Sequence, residues 1–401
     1  MRMIRAVAIM LALTVTITLV GCVSYVDLSD RAIVQAIGID YVPDKKVYRI
    51  SMQYFNQSSE GGQNQIDKTQ DNVLKSVGEG ESIFAAAKNA SMLTGKDLLL
   101  SENRLIIIGK ELRKYKLCDT LEFFVGNYHS HPQAYVAAAE DTAEELLDIR
   151  FKEGSTSSQR LANLIHNASV ESRNKSTYPY QVMTMLCTST ESAFLPLLRT
   201  ATLKTDVTIP KETGGGKGNG GGEEQSEDGE KTIILDGGVV FKGGKELCKV
   251  DNDGAMAIFF MNDMPSEYSF TVPLGQNAKP SVMLIGVTRS IKATEYNGKV
   301  KFDVSFSASG KIGSKGGMKE DEKKAAEKVA EPAERELKRK IESSMIPIAE
   351  KGCDVFGLEN TLRRCCNRFY RENIDRVGKI IAESEIEVNV NIDIFSQGIG
   401  G

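Results

Sequence analysis

The sequence predicts an α+β protein of the mixed α/β, multi-domain kind, with N-terminal α/β lobes and a C-terminal antiparallel sheet packed by helices. Three observations carry this. Strand-like apolar runs alternate with helical patterns from Ala32 to Leu203. From Thr232 onward, period-two segments and tight-turn signals dominate. The chain then closes on an unbroken alternation, with Ile386, Val388, Val390, Ile392 and Ile394 on one face and Glu385, Glu387, Asn389, Asn391 and Asp393 on the other. At 401 residues, 41% of them hydrophobic, the chain is long enough for two or three cores.

The first element is not part of a core. Two cations, Arg2 and Arg5, precede an apolar run from Ala6 to Val20, which ends in Leu19-Val20-Gly21-Cys22. A leucine three residues before a cysteine, with a small residue between, is the pattern of a lipoprotein signal. The sulfur takes a diacylglycerol thioether, cleavage follows on the N-terminal side, and the freed amine is acylated in turn. Residues 1–21 are read as a signal peptide and Cys22 as the lipidation site, S-diacylglycerol and N-acyl, with palmitate among the chains. About 20 apolar residues also suffice for an uncleaved span, but Thr14, Thr16, Thr18 and the short apolar region favour cleavage. Either way the body sits on the outer face of a membrane, and two or three acyl chains at about 0.8 kcal/mol per buried CH₂ hold it there.

After a short polar tether, Ala32–Asp40 reads as a buried strand and Val47–Phe55 as a second, with Ile50, Met52 and Tyr54 on one face. Ser58–Asp71 is a polar loop. Ser82 is placed to cap a helix in which Ile83, Ala86, Ala87, Ala90 and Leu93 recur, and Gly95 stands where a C-terminal glycine ends one. Leu105–Ile108 is a compact strand closed by Gly109, Leu112–Val125 a helix, Ala134–Ala139 a strand, and Asp141 opens a helix carrying Leu146 and Leu147. An amphipathic helix with Leu161, Leu164 and Ile165 follows, then a tyrosine- and threonine-rich stretch and the strand-like Ala193–Leu198. This N-terminal mixed region runs from 22 to 208, in two lobes at about 22–150 and 151–208. Residues 209–231 form a flexible segment, because seven of the ten residues from Thr213 to Gly222 are glycine and the next eight are acidic and polar.

The C-terminal β-rich domain with helices is assigned 232–401. Thr232–Phe241 and Leu247–Val250 flank the turn Lys242-Gly243-Gly244-Lys245, and Ser281–Tyr296 and Lys299–Ser307 flank Asn297-Gly298, a type I′ hairpin signal. A charged stretch leads into a helix with Leu337, Ile341 and Met345 on one side. Pro332 should open its ordered part and Pro347 kink or end it. Leu362–Ile381 is a second helical region, and the last strand should join an antiparallel sheet.

Composition excludes several functions. Net charge is −4 with pI ≈ 5.7, and about −6 once Arg2 and Arg5 are removed, with both signs interspersed, so no nucleic-acid footprint exists. Beyond Cys22, the six cysteines Cys118, Cys187, Cys248, Cys353, Cys365 and Cys366 form no Cys-x-x-Cys unit and read mainly as buried thiols. Cys353 with Cys365 or Cys366 is the one bridge the spacing favours. His129-Ser130-His131 lacks a third ligand for a metal, and His166 sits on an amphipathic helix. No Gly-Lys has the upstream glycine of a phosphate-cradling loop. The adjacent Glu144 and Glu145 diverge on a helix, and Cys365-Cys366 lies in a helical stretch. The reading is therefore of no cofactor, no metal and no enzyme.

Several pieces, in order along the chain, resemble the Ger(x)C family of spore germination lipoproteins, the C subunits of nutrient germinant receptors. They are Gly21-Cys22, Ala32 to Asp40, Gly80-Glu81-Ser82-Ile83, Arg104 to Gly109, Asp236-Gly237-Gly238-Val239-Val240-Phe241 with Lys245, Asp354-Val355-Phe356-Gly357-Leu358, and the closing strand with Gly398. The chain departs from that family in having no tryptophan, with Val23-Ser24-Tyr25 after Cys22, and Gly126 near the place where an arginine often stands. The resemblance implies a three-domain lipoprotein on the outer leaflet of the spore inner membrane. It also implies assembly with two polytopic germinant receptor subunits and a requirement for the germination response. An extracytoplasmic solute-binding lipoprotein is the alternative that the residues alone leave open.

Overall fold

In the computed structural model, which describes residues 30–55, 73–115, 117–126, 130–149, 156–203, 230–275 and 278–395 with the isolated residues 3 and 5, the first strand is the axis of a large sheet. Strand β1 (Arg31–Val42) pairs antiparallel with β2 (Val47–Phe55), and β2 with β3 (Val73–Gly80). Helix α1 (Ile83–Thr94) has the predicted ends. Ser82 Oγ accepts from the Ala85 N–H at 3.1 Å, and Gly95 takes φ 65°.

Next come β4 (Asp97–Leu99) and β5 (Leu105–Ile108), both parallel to β1. Helix α2 (Leu117–Gly126) starts later than predicted because Leu112–Lys114 close a single 3₁₀ turn. Strand β6 (Tyr135–Ala139) leads to α3 (Ala143–Asp148), whose N-cap is Thr142 rather than Asp141, with Thr142 Oγ1 accepting from the Glu145 N–H at 3.2 Å. Helix α4 (Ser157–Val170) is the predicted amphipathic one. The tyrosine- and threonine-rich stretch contains a further helix, α5 (Pro179–Leu186), opened by a proline in its first turn.

Strand β7 (Ser192–Leu203) is followed by β8 (Glu230–Lys242) and β9 (Lys245–Val250), joined through Gly243 and Gly244 at φ 60° and 75°. Here the structure corrects the sequence reading. These two strands, assigned to the C-terminal β-rich part, are hydrogen-bonded into the first sheet, whose order is β3-β2-β1-β5-β6-β7-β8-β9 with β4 beside β1. The reason is burial on both faces of β8. Val239 and Phe241 join the core of the first sheet, whereas Val240 points into the second core, so period-two alternation serves two cores at once. A third apolar cluster, on the opposite face of the first sheet, lies under α3 and α4 and includes Leu146, Leu147 and Leu161.

Helix α6 (Asn252–Asn262) interrupts the region read as β-rich. Every residue from Gly254 to Met261 is buried, so the run has no polar face to mark its period. Strands β10 (Glu267–Thr271), β11 (Ser281–Tyr296) and β12 (Lys299–Ser314) follow, the last two joined through Asn297 and Gly298 at φ 53° and 80°. Then come α7 (Glu322–Ala349), α8 (Leu358–Cys365), α9 (Asn367–Glu372), α10 (Val377–Ala382) and β13 (Glu385–Ile394). The second sheet runs β10-β11-β12-β13, and β13 pairs parallel to β12, correcting the expected all-antiparallel sheet. Four helices lie between the two strands, and a crossover of that length returns the chain in the same direction.

Both prolines lie inside α7, so Pro332 does not open it and Pro347 does not stop it. Asp321 caps the helix ten residues earlier than Pro332 would, and buried Ala325, Val329, Ala333, Leu337, Ile341 and Met345 continue one apolar stripe across the proline. Packing thus outweighs a local penalty. Because proline lacks the N–H that the Lys328 carbonyl would accept, Pro332→Ala should stabilise the protein by about 1–3 kcal/mol. The readout is a higher urea midpoint, and an unchanged midpoint would mean that the helix accommodates the proline without cost.

Candidate functional site

Cys22 and His129 lie outside the described residues, so the site is built from what the two sheets bring together. The six other cysteines are free thiols, and Cys353 does not bridge to Cys365 or Cys366. The buried Cys353 Sγ–H donates to Phe241 O at 3.7 Å, and Cys366 Sγ–H to Ala293 O at 3.5 Å. His131 Nδ1 accepts from the Gln133 N–H, and His166 Nδ1 meets the Tyr135 hydroxyl at 3.1 Å on the surface. Glu144 pairs with Lys75 and Arg49 across the sheet edge, while Glu145 makes its place in the first turn of α3. Among the described residues no three His, Cys, Asp or Glu side chains come together as metal ligands would.

Two backbone devices explain motif residues that the sequence marked without a role. Asp40, at the end of β1, accepts from the N–H groups of Ala143 and Glu144 at 2.8 and 3.0 Å and so secures the start of α3. Burial raises its pKa despite those bonds. A side chain at Gly109 would put a Cβ 1.8 Å from Asp40 Oδ1, so that glycine is required by close approach.

The second device locks the two cores. Asp354 is buried, and its carboxylate accepts from the N–H groups of Phe356 (3.1 Å), Leu358 (2.9 Å) and Glu359 (2.7 Å), turning the chain into α8. Its own N–H donates to Ser192 Oγ on β7 at 2.9 Å. Glu359 then reaches the loop before β7, where its carboxylate accepts from the N–H groups of Ser189 and Thr190, from Thr190 Oγ1 at 3.1 Å and from the Tyr370 hydroxyl at 3.0 Å. Lys242 Nζ adds a bond to Lys351 O at 2.6 Å. The segment 351–359 is thus a latch between the end of the first sheet and the helices of the second.

At the other end of β8 and α6 from the latch, a cleft of about 760 Å³ opens between the two sheets' packed layers. One bank is α4 and the loop after it, where Arg173 pairs with Glu171 at 2.7 Å. The other is the start of α6 with α7, where Lys340 pairs with Asp253 at 2.5 Å. The floor is apolar, from Ile234 and Leu235 of β8, Met256 of α6, and Tyr268 and Phe270 of β10. Burial, with the Asp253 carboxylate adding to it, raises the Tyr268 phenol far above its ordinary value, so it remains a neutral hydroxyl.

Gly237 fixes the two banks relative to each other. It stands at φ 64° in a β8 irregularity, its N–H donates to Asn252 Oδ1 at 2.8 Å, and its carbonyl accepts from Asn174 Nδ2 at 2.8 Å. That bond orients the Asn174 amide and leaves its buried Oδ1 without a partner among the described residues. None of Asn174, Lys340, Asp253 or Glu359 stands out in the sequence, because what distinguishes each is a partner distant along the chain. Asp236-Gly237-Gly238 was the only local signal.

These features define a two-sheet α+β protein, latched through a buried carboxylate and carrying an open cleft between its packed layers. Residues 24–200 match the profile described as "Spore germination protein N-terminal domain", and residues 236–398 the one described as "Spore germination B3/ GerAC like, C-terminal". The chain belongs to this GerAC-like family of spore germination proteins. Spore germination protein KC of Bacillus subtilis (strain 168) is 30% identical over 149 residues, an alignment spanning 35% of each chain. The matched stretch is therefore about a third of that relative's length. A solved structure titled "Crystal Structure of the GerBC protein" superposes with TM-score 0.51 at 13% identity, covering 90% of this chain and 97% of that one. At such identity the likeness speaks for the fold.

Proposed function

We propose that the chain is the membrane-anchored, non-enzymatic C subunit of a spore nutrient germinant receptor. Lipid on Cys22 holds it at the outer leaflet of the spore inner membrane, where it meets two polytopic receptor subunits. The observation that carries this reading is that both family profiles occur in order on one chain whose first 22 residues end in the lipoprotein pattern. Tethering at a bilayer raises the effective concentration of weak partners without any new contact. Among the described residues no helix is long and apolar enough to cross a membrane. Cys22→Ala should release the protein from the membrane fraction and abolish the germination response together. Normal germination with a fully soluble variant would refute the reading.

The cleft favours one second reading, an extracytoplasmic solute-binding lipoprotein, since about 760 Å³ is within the range of small-molecule sites. Calorimetric titration of the purified chain with single amino acids and sugars distinguishes the two. Saturable heat that is lost in Lys340→Ala supports solute capture, and its absence leaves the subunit reading.

A further inference from the structure

The strand registers gather four exposed apolar side chains at one end of the first sheet. Val34 of β1 lies opposite Tyr54, which places Phe55 beside the start of β1, and Phe55 in turn lies opposite Val73, next to Leu74. Helix α1 runs back along β3, with Ser76 Oγ donating to Ala90 O at 2.7 Å and Asn89 Nδ2 to Glu79 O. Its last turn, Met92 and Leu93, therefore reaches the same end, where β4 pairs Asp97 with Arg31. Phe55 is 46% exposed, Leu74 40%, Met92 70% and Leu93 74%. By strand alternation Phe55 lies on one face of the sheet and Leu74, with Met92 and Leu93 of α1, on the other, so exposed apolar side chains straddle this end, and such a group in water marks a surface that meets something else.

We propose that this end of the first sheet rests on the lipid bilayer, with Phe55, Leu74, Met92 and Leu93 entering the headgroup region. Chain length selects the bilayer as the occupant. Only eight residues, Val23 to Asp30, separate Cys22 from β1, and eight residues reach at most about 29 Å when fully extended. The tether joins the body at Arg31, the end that carries the apolar cluster, so the short leash and the exposed surface point the same way. Apolar side chains from several elements then act as a second, non-covalent attachment beside the acyl chains. The inference rests on the reading of Cys22 as the lipidated residue.

The absence of native tryptophan makes the test clean. Single reporters Leu93→Trp and Met92→Trp are placed on the lipidated full chain. Asp44→Trp serves as control, in the β1–β2 turn at the far end of the twelve-residue β1, about 40 Å away. Each protein is reconstituted into phosphatidylglycerol and phosphatidylcholine vesicles whose acyl chains are brominated. The expected result is a blue shift and a large loss of indole emission at positions 92 and 93, with neither at position 44. If the protein sediments with vesicles through Cys22 while positions 92 and 93 stay unshifted, or if position 44 is quenched equally, the orientation is overturned and the anchor stands. If mass spectrometry of the mature chain finds no acyl group on Cys22, the anchor reading falls and takes this inference with it.

Discussion

Asp354→Ala should destabilise the protein by about 4 kcal/mol, because three buried N–H groups, those of Phe356, Leu358 and Glu359, lose their acceptor at once. Val355, Phe356 and Leu358 are all buried in the apolar core of the second sheet, which supplies no other acceptor for the freed donors. Asp354→Asn is the informative partner variant, since its amide oxygen keeps the bonds from Phe356 and Leu358 and loses only that from Glu359. Urea unfolding of both variants should therefore rank alanine well below asparagine. Equal midpoints would mean that the carboxylate is a bystander rather than the pivot of the latch.

The neighbouring carboxyl gives the latch its pH dependence. Burial acts to raise the pKa of Glu359, but the hydrogen bonds from Ser189, Tyr370 and Thr190 outweigh it and hold the group below its ordinary value. A carboxyl depressed in the folded state contributes stability that is present above its unfolded value and is lost as pH falls through its folded one. Asp354 works in the opposite sense, because burial raises it despite the N–H groups of Glu359, Leu358 and Phe356. Its share is fully present below its ordinary unfolded value and is lost as pH rises from there through its raised folded one. Glu359→Gln should thus flatten the acid limb of the stability profile, and it also removes one of the charges that raise Asp354, so the opposing contribution of Asp354 shrinks with it.

What the sequence made legible follows from where the deciding partner lies. Ser82 and Gly95, or Asn297 and Gly298, act within a few residues of themselves, and the ends they mark fall where predicted, although β12 runs on past the expected Ser307 to Ser314. The parallel pairing of β13 depends on β12, more than eighty residues earlier at Phe302 and Ile386, and alternation alone carries no sign of direction. Helix α6 is hidden for a different reason, since a helix buried all round reads as any short apolar run. Asp354 to Leu358 stands out as a motif, but its role as a latch is hidden because Glu359 meets Ser189 across 170 residues of chain. Motif glycines were visible as marks but not as devices, for the atom that demands each one belongs to another element.

Gly237→Ala isolates one such device, and a loss of about 3–5 kcal/mol is expected from two separable causes. The first is conformational. At φ 64° an alanine occupies the left-handed region, which costs an L-residue roughly 1–2 kcal/mol. The second is contact, because a Cβ there would lie 2.0 Å from Val250 O and 2.7 Å from Asp251 C, backbone atoms that cannot rotate away. Gly298→Ala separates the two. It also has positive φ, at 80°, but nothing lies within 4 Å of its Cβ position, so it bears the conformational cost alone. Moving β8 away from Val250 would also break the bonds from Gly237 to Asn252 and Asn174 and so spread the banks of the cleft. Protection of the Gly237 N–H from hydrogen exchange should fall with the unfolding midpoint. A Gly237→Ala protein no less stable than Gly298→Ala would show that β8 yields freely at this point and that the cleft is not held by its backbone.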